Sequence, residues 1–186
     1  MGSPIRPAAA AVPPLLLAGL LALTLCACEQ GKPRHPPPDP MASGPPPVEE
    51  AALPPALSDG LIKQPQMAGF FMDHAGAALD PYNKPPAVTP RDRPLVFDGF
   101  GFDPLAKTPA KGVDVIVDGK AYGTTYGLPR GDVAAYFHAP ALVMVGFRTV
   151  LPPGTLAAGS HTVTLRVVST DGKAYYEAPQ FSLEVQ

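Results

Sequence analysis

Four histidines and a set of loop carboxylates are the side chains in this sequence that could carry acid–base or metal chemistry. The histidines are His35, His74, His138 and His161, and the carboxylates are Asp98, Asp103, Asp114, Asp118 and Asp171. The histidines are too widely spaced for a zinc site, and the aspartates lack the dense Asp-x-Asp-x-Asp spacing of a calcium loop. The sequence also has no Gly-x-Ser-x-Gly elbow or glycine-rich phosphate loop. We therefore expect no enzyme activity, metal or cofactor, with calcium binding by loop carboxylates as the alternative, and we interpret His161 as a structural hydrogen-bonding residue.

The tripeptide Arg130-Gly131-Asp132 has a spacing that could support adhesion. On an exposed loop these residues can engage integrins. An ion pair between Arg130 and Asp132 that fixes the loop explains the same spacing without any partner. We favour the ion pair and keep both residues as candidates for a binding surface.

Tyrosines are the other candidate binding residues. Tyrosine suits interfaces because it offers a large apolar face with one polar tip. Adjacent residues of a strand point to opposite faces, so one of Tyr175 and Tyr176 should face outward. The tyrosines that could bind, near strand ends or loops, are Tyr122, Tyr126, Tyr136, Tyr175 and Tyr176. As the candidate surface we take Tyr122, Tyr126, Tyr175 and Tyr176 together with Arg130 and Asp132. Ordinary packing on a sheet face is the favoured alternative for the tyrosines.

The N-terminus has the order of residues expected of an export signal. Arg6 precedes the apolar run Leu15–Leu25, which is shorter than the about 20 residues of a spanning helix. The end of the run resembles a bacterial lipobox, because small Ala27 precedes Cys28 and Leu25 stands three residues before it. This resemblance implies a signal peptide over residues 1–27 and lipidation at Cys28, with Cys26 as a competing site.

Lipidation would hold the protein on a membrane of the bacterial cell envelope, facing the periplasm or the cell surface. Stable anchoring needs more than one acyl chain, which a multiply acylated cysteine such as palmitoylated Cys28 supplies. Glu29 follows the cysteine in place of the aspartate associated with inner-membrane retention, so we expect the outer rather than the inner membrane.

The composition argues against a nucleic-acid partner and against stabilisation by disulfide bonds. The chain has 186 residues and a formal net charge of −2, which gives no electrostatic footprint for nucleic acid. Both cysteines, Cys26 and Cys28, lie at the expected anchor, so the rest of the chain has no disulfide. We expect the folded part to be stabilised by core packing alone.

Proline divides the chain into segments. Ten of the 31 residues from Glu29 to Asp59 are proline, and such a segment buries too little apolar surface to fold. We therefore predict a disordered linker over residues 28–60, with a spacer role favoured over a docking site. Residues 61–93 should hold one strand around Met67–Met72, a turn at Asp73–Gly76 and a long loop.

From Pro94 onward the apolar residues alternate with a period of two, which indicates strands. Asp-Gly pairs at residues 118–119 and 171–172 predict hairpin turns, and Val143–Val150 predicts a further strand. Only Asp132–Phe137 suits a short helical turn. The pattern predicts an all-β, immunoglobulin-like antiparallel β-sandwich over residues 94–186.

A series of short motifs in this region resembles the bacterial immunoglobulin-like modules of exported envelope proteins. The motifs are Phe100–Pro104, Val115–Lys120, Tyr126–Arg130 with Asp132-Val133, Gly146-Phe147, and Leu156–His161 with Thr164–Arg166. The resemblance covers about Leu95–Gln186 and brings no catalytic residues with it. It implies a noncatalytic binding or scaffolding module held at a membrane by a lipid, with an envelope protein or glycan as partner. An accessory subunit of an envelope complex and a carbohydrate-binding module are the alternatives.

Overall fold

The computed structural model describes residues 52–84 and 87–186. The predictions for the signal peptide, for lipidation at Cys28 and for the linker up to residue 51 lie outside this part of the chain. The described residues form two packed sheets with mostly antiparallel pairing, so the prediction of an all-β sandwich is confirmed at this level.

Thirteen strands and two short helices make up the described part. The strands are β1 (Ile62–Met67), β2 (Gly69–Ala75), β3 (Ala78–Leu79), β4 (Ala87–Thr89), β5 (Leu95–Asp103), β6 (Thr108–Pro109), β7 (Gly112–Val117), β8 (Lys120–Gly123), β9 (Thr125–Leu128), β10 (Gly146–Leu151), β11 (Gly159–Val168), β12 (Ala174–Glu177) and β13 (Phe181–Val185). The helices are α1 (Gly131–Tyr136) and a 3-10 helix (Pro140–Met144). We call residues 131–144, which hold both helices, the helical segment.

The six-stranded sheet has the order β3-β2-β5-β10-β9, with β6 paired to one end of β5, and all its pairs are antiparallel. Alternation along β5 directs Leu95 and Phe97 into the core. The same alternation directs Phe100 and Phe102 to the outer face of the sheet, where the helical segment lies.

In the seven-stranded sheet, β11 is central. It pairs with β7 on one side, and on the other side with β13 along its first half and β12 along its second. Strand β8 extends the sheet beyond β7. At the opposite edge, β1 pairs in parallel with β12, and β4 pairs in parallel with β13.

The hydrophobic core lies between the sheets and takes side chains from most of the long strands. Its largest fully buried members include Met72, Phe97, Phe147, Leu165 and Leu183. Replacing a buried side chain of this size by alanine costs about 2–5 kcal/mol, so these residues account for much of the stability of the sandwich.

A segment that the sequence assigned to the disordered linker packs on the seven-stranded sheet. The fully buried carboxylate of Asp114 accepts hydrogen bonds from the backbone amides of Leu57, at 2.8 Å, and Ser58, at 2.6 Å. Gly123 lets this segment approach closely, because a Cβ there would lie 2.3 Å from the carbonyl oxygen of Pro54. Residues 54–58, which we call the strap, are therefore an ordered part of the sandwich.

Residues 61–93 contribute more to the fold than one strand and a loop. They supply β1 and β4 to the seven-stranded sheet, and β2 and β3 to the six-stranded sheet. The strand expected near Met67–Met72 is present as β2, but it continues through Asp73 to Ala75, and the turn follows at Gly76. The sandwich thus begins well before Pro94. Local sequence patterns did not reveal this, because β1 and β4 each pair in parallel with a strand about 100 residues later in the chain.

Local predictions after Pro94 agree with the structure at most points. Asp118 and Gly119 both have positive φ, as a tight hairpin turn between β7 and β8 requires. The helical turn expected at Asp132–Phe137 is present as α1. The strand expected from Val143 begins at Gly146, because Val143 and Met144 end the 3-10 helix.

Candidate functional site

The outer face of the six-stranded sheet carries a group of aromatic rings, some exposed and some partly or fully covered by the helical segment. Phe71 stacks on Phe100 with a centroid distance of 6.2 Å, and Phe100 stacks on Phe102 at 6.3 Å. Phe137, at the end of α1, stands nearly perpendicular to Phe100 and Phe102, at 79° and 69°. Tyr136 is 79% exposed beside it. We call Phe71, Phe100, Phe102, Tyr136 and Phe137 the aromatic surface.

A small secondary core holds the helical segment on the sheet. Val133 of α1 and Leu142 of the 3-10 helix are buried together with Val145 and Phe102. Burial of an apolar side chain stabilises by about 1.5–3 kcal/mol, so these residues fix the helical segment firmly enough to position the neighbouring rings. Tyr136 and Phe137 follow Val133 by three and four residues, but they remain largely solvent-exposed.

Two apolar hollows share Phe137 in their linings. The first has a volume of about 500 Å³ and is lined by Phe70, Phe71, Phe100, Asp132, Val133, Tyr136 and Phe137. The second has a volume of about 410 Å³ and is lined by Phe102, Pro104, Lys107, Phe137, Ala139 and Leu142. Each hollow is therefore apolar inside and has one charged residue in its lining, Asp132 in the first and Lys107 in the second.

Arg130 connects the aromatic surface to a charged groove. Its guanidinium donates to Asp132 through Nε at 2.9 Å and Nη2 at 2.7 Å, and to Asp73 through Nη1 at 2.6 Å. The same group lies 5.1 Å from the ring centroid of Phe100. The predicted ion pair between Arg130 and Asp132 is thus confirmed, and it also fixes the guanidinium against the aromatic ring.

Arg130 binds two carboxylates whose pKa values are shifted in opposite directions. The hydrogen bond from Arg130 lowers the pKa of the exposed Asp132 to about 2. The pKa of Asp73 is raised, because its partial burial disfavours the charged form by more than Arg130 favours it. At neutral pH the exposed Asp132 therefore keeps its negative charge at the rim of the first hollow.

The charged groove runs beside the aromatic surface and has a volume of about 530 Å³. In it, His74 Nδ1 lies 2.6 Å from Asp98 Oδ1, and Arg148 is the register partner of Asp98 on β10. Its lining residues are Phe71, Asp73, His74, Leu79, Asp80, Asp98, Gly99, Leu128, Pro129, Arg130, Gly146, Phe147 and Arg148. The groove brings together the charged side chains of Asp73, Asp98, Arg130 and Arg148, which suits it to binding charged groups.

None of the four candidate tyrosines lines the two hollows or the charged groove. Tyr122 and Tyr176 are buried in the core. Tyr126 donates a hydrogen bond to the carbonyl of Gly101 at 2.8 Å and accepts one from the amide of Ala110 at 3.0 Å, and burial raises its pKa to about 12.

Tyr175 is the candidate tyrosine that faces outward, as the alternation expected for adjacent strand residues requires. It is half-buried beneath the guanidinium of Arg166, which lies 4.7 Å from its ring centroid. Sequence reasoning counted Tyr136 among the tyrosines that could bind but left it out of the candidate surface, and it did not single out Phe100 or Phe137 for binding. The available signal was Phe100 and Phe102 on one face of a strand, followed by an aromatic pair in a predicted helical turn.

His161 has the structural role expected from the sequence. Its Nδ1 lies 2.6 Å from Asp118 Oδ2, and its Nε2 lies 2.9 Å from the carbonyl oxygen of Ala157. Among residues 52–84 and 87–186, His, Cys, Asp and Glu side chains do not come together in any group of three that could hold a metal ion. Over the same residues, no helix has the length and apolar character needed to cross a membrane.

No protein-family model matches this chain, and no curated protein is significantly similar to it in sequence.

Proposed function

We propose that this chain is a lipid-anchored protein of the bacterial cell envelope that presents a noncatalytic immunoglobulin-like module, with the aromatic surface as its binding face. The proposal for the anchor is supported by the apolar run that ends at Ala27-Cys28 and by the proline-rich residues that follow it. The module acts as a binding or scaffolding unit at the membrane surface. An envelope protein for which it is an accessory subunit is the favoured partner.

Strand order supports the immunoglobulin-like assignment. In that fold one sheet has the order A-B-E-D, and the other contains C-F-G with an added C′ beside C. The six-stranded sheet has β2-β5-β10-β9 in the places of A-B-E-D. The seven-stranded sheet has β8-β7-β11 in the places of C′-C-F, with β12 and β13 together in the place of G.

The observation that carries the binding role is the concentration of exposed apolar side chains at the helical segment. The described residues include eleven exposed large apolar side chains, and four of them, Tyr136, Phe137, Val143 and Met144, belong to the helical segment. Exposed apolar patches on soluble domains mark interaction sites, and aromatic residues are enriched in protein interfaces. This concentration therefore favours a protein partner.

Ring geometry favours a protein partner over a glycan. A sugar stacks on a flat, exposed aromatic platform, whereas Phe137 stands almost perpendicular to its neighbours Phe100 and Tyr136. The pair first considered for glycan binding, Tyr175-Tyr176, has one member buried in the core. A slot between perpendicular rings suits a peptide side chain or a proline ring better than a pyranose face.

The binding role is tested by crosslinking in cells that produce the full chain. A double variant, Tyr136→Ser with Phe137→Ser, should lose a specific crosslinked partner while unfolding at the same denaturant midpoint as the wild type. Val88→Ser, at an exposed apolar position on the other sheet, is the matched control and should keep the partner. If both variants keep it, the aromatic surface is not the binding face.

The anchor is tested by fractionation of the same cells. Cys28→Ser should move the protein from the membrane to the soluble fraction, whereas the control Cys26→Ser should leave it in the membrane fraction. Retention of the Cys28→Ser variant in membranes, with Cys26 also replaced, would contradict lipid anchoring.

A further inference from the structure

We infer that the aromatic surface pairs with the same surface of a second copy of this chain, related to it by a two-fold axis that passes close to Phe137. This inference rests on the proposed binding role of the aromatic surface and names the partner that the surface fits. A second copy held there covers apolar side chains that are otherwise exposed to water. An envelope partner then reaches this face only by replacing the second copy.

An acidic group marks one end of the aromatic surface along β5. The guanidinium of Arg130 binds Asp132 at 2.7 Å and lies 5.1 Å from the ring centroid of Phe100. The same guanidinium binds Asp73, which lies in β2 at the level of Asp98, two residues before Phe100 on β5. The largely exposed carboxylate of Asp132 is thereby held toward the start of β5.

A basic group marks the other end of the aromatic surface. Lys107 is exposed in the turn that joins β5 to β6. Phe102 lies between this turn and Phe100, and the ring centroids of Phe100 and Phe102 are 6.3 Å apart. Phe137 stands over both rings, with centroid distances of 6.4 Å to Phe100 and 5.2 Å to Phe102. The surface therefore runs from Asp132 to Lys107, with Phe137 near its middle.

A surface with this order of charges is complementary to a copy of itself. A two-fold rotation about Phe137 brings the acidic end of each copy to the basic end of the other, so that an Asp132–Lys107 pair forms twice. Each oxygen of Asp132 accepts one hydrogen bond from Arg130, and a carboxylate oxygen can accept a second from the lysine of the other copy. The pairing thus needs no charged group beyond those that the surface already has.

The shape of the surface is complementary under the same rotation. Tyr136 is 79% exposed and lines the first hollow together with Asp132. The rotation that places Asp132 at Lys107 of the second copy also brings Tyr136 to the second hollow of that copy, because Lys107 lines it. A hollow of about 410 Å³ is large enough to take an aromatic ring. Each copy therefore supplies both a protruding ring and a hollow that receives one.

Exposed apolar side chains favour a second copy over an unrelated protein. The cores of homodimer interfaces are more apolar than those of other protein interfaces, and aromatic residues and methionine are enriched in interfaces. Two-fold dimers are also the commonest oligomers of soluble proteins. The exposed apolar side chains of the helical segment and the β5–β6 turn are Leu105, Tyr136, Phe137, Val143 and Met144.

Site-specific photocrosslinking between two copies of the full chain tests the inference. Cells produce the chain with p-benzoylphenylalanine in place of Tyr136, together with an unmodified copy that carries a different tag. Covalent products that hold both tags are purified under denaturing conditions, digested and mapped by mass spectrometry. We expect the crosslinks in the unmodified copy to lie at the lining of its second hollow, within residues 102–107 and 137–142.

The matched control places the same crosslinker at Val88, an exposed apolar position on the other sheet. Two chains at a high local concentration can meet by chance, and the yield from position 88 measures such encounters. We expect several-fold more of the product with both tags from position 136 than from position 88. Equal yields from the two positions would overturn the inference.

A charge reversal at Lys107 tests the pairing of the two ends. Lys107→Glu should lower the yield from position 136 at least about twofold, since each dimer loses two solvent-exposed ion pairs. Lys107→Arg keeps the charge and should keep the yield. Lys111→Glu makes the same change in net charge at an exposed lysine outside both hollows, and it should keep the yield as well. An equal loss in Lys111→Glu would overturn the assigned pairing of Asp132 with Lys107.

Other outcomes separate this inference from the proposed function. Crosslinks to the second copy at its seven-stranded sheet alone would show a head-to-tail contact and overturn the two-fold pairing. Crosslinks only to a different envelope protein would overturn the inference but leave the binding role of the aromatic surface standing. Position 136 without any crosslink, in a variant that unfolds at the wild-type denaturant midpoint, would overturn both.

Discussion

Asp114 is the residue that joins the strap to the sandwich. Its side chain points to the outer face of the seven-stranded sheet, where a charged residue would ordinarily meet water, yet it is fully buried. The amides of Leu57 and Ser58 donate to Oδ2 and replace part of the hydration that burial removes. A buried carboxylate is tolerated only with such partners, so strap and carboxylate depend on each other.

Asp114→Ala should therefore destabilise the protein and release the strap. Hydrogen bonds to charged groups contribute about 1.5–3 kcal/mol, and the variant also leaves two amides without an acceptor. We expect the free energy of unfolding to fall by about 3 kcal/mol and hydrogen exchange at Leu57 and Ser58 to accelerate. The control Asp59→Ala, at an exposed side chain next to the strap, should change stability by less than about 0.5 kcal/mol. Unchanged exchange in Asp114→Ala would show that other contacts hold the strap.

His161 links stability to pH. Asp118 and the carbonyl of Ala157 both accept hydrogen bonds from its ring, so the doubly protonated form satisfies both contacts and the pKa of His161 is raised above 6.5. The folded state then binds the proton more tightly than the unfolded state does. This contribution to stability is fully present below about pH 6.5 and is lost as the pH rises through the raised pKa.

His161→Ala should accordingly cost more stability at about pH 5.5 than at about pH 9. Urea unfolding of the wild type and the variant at both pH values measures the difference. In an Asp118→Asn background the ring loses its charged partner, and most of the pH dependence of the His161→Ala effect should disappear. An equal loss at both pH values in the wild-type background would mean that the raised pKa contributes nothing to folding.

At the scale of single residues, the sequence predicted contacts between near neighbours better than it predicted the site. The Arg130–Asp132 pair follows from local spacing, whereas the strand-entry position of His161 indicated a hydrogen-bonding role but not its partner Asp118, 43 residues earlier. Among the tyrosines, Tyr122 and Tyr176 pack in the core, whereas Tyr136 lines the first outer hollow together with Phe100 and Phe137. The difference depends on which strand face the helical segment covers, and that contact is not local in sequence.

Turns and helices differ in what they require of glycine. Gly119 has a φ of +82° in the hairpin between β7 and β8, a conformation that side chains disfavour. Gly131 begins α1, and a Cβ added there would meet no atom within 4 Å. The same glycine-to-alanine substitution should therefore have opposite effects on stability at these two positions.

Gly119→Ala and Gly131→Ala should change stability in opposite directions. Forcing alanine into the left-handed region costs about 1 kcal/mol, so Gly119→Ala should lower the free energy of unfolding by that amount. Alanine favours a helix over glycine, so Gly131→Ala should raise it by about 0.5 kcal/mol. Denaturant unfolding of both variants measures the effects. If Gly131→Ala destabilises, α1 needs the glycine for a reason beyond helix formation.

Local patterns predicted strand and turn positions but not all of the pairing. Alternation identified β7, β11 and β13, and the Asp-Gly pair identified the first hairpin, because these features depend on residues close in sequence. Thr164 alternates with the core residues Val163 and Leu165, yet it is also buried and donates to the carbonyl of Ala178. The strands β1 and β4 gave no comparable signal, since they are short or exposed and each is stabilised by one distant parallel partner.

For the whole molecule, the pairing of β1–β4 with other strands places the start of the folded unit well before Pro94. Strand β2 pairs with β5 from Gly69 to Ala75 and adds the fully buried Met72 and Ala75 to the core. A chain that began at Pro94 would lose this strand together with β1, β3 and β4. The long strand β5 would then have an unpaired edge, and unpaired edges template aggregation.

A fragment of residues 94–186 should therefore fail to fold as a cooperative unit, whereas a fragment of residues 52–186 should fold. The shorter fragment exposes core side chains such as Phe97 that β2 covers in the intact sandwich, and each large buried apolar residue contributes about 1.5–3 kcal/mol. We expect aggregation or a broad transition for the shorter fragment and a single sharp urea transition for the longer one, measured by size-exclusion chromatography and circular dichroism. Cooperative unfolding of the shorter fragment at the same midpoint would place the boundary at Pro94 and make β1–β4 an accessory to the fold.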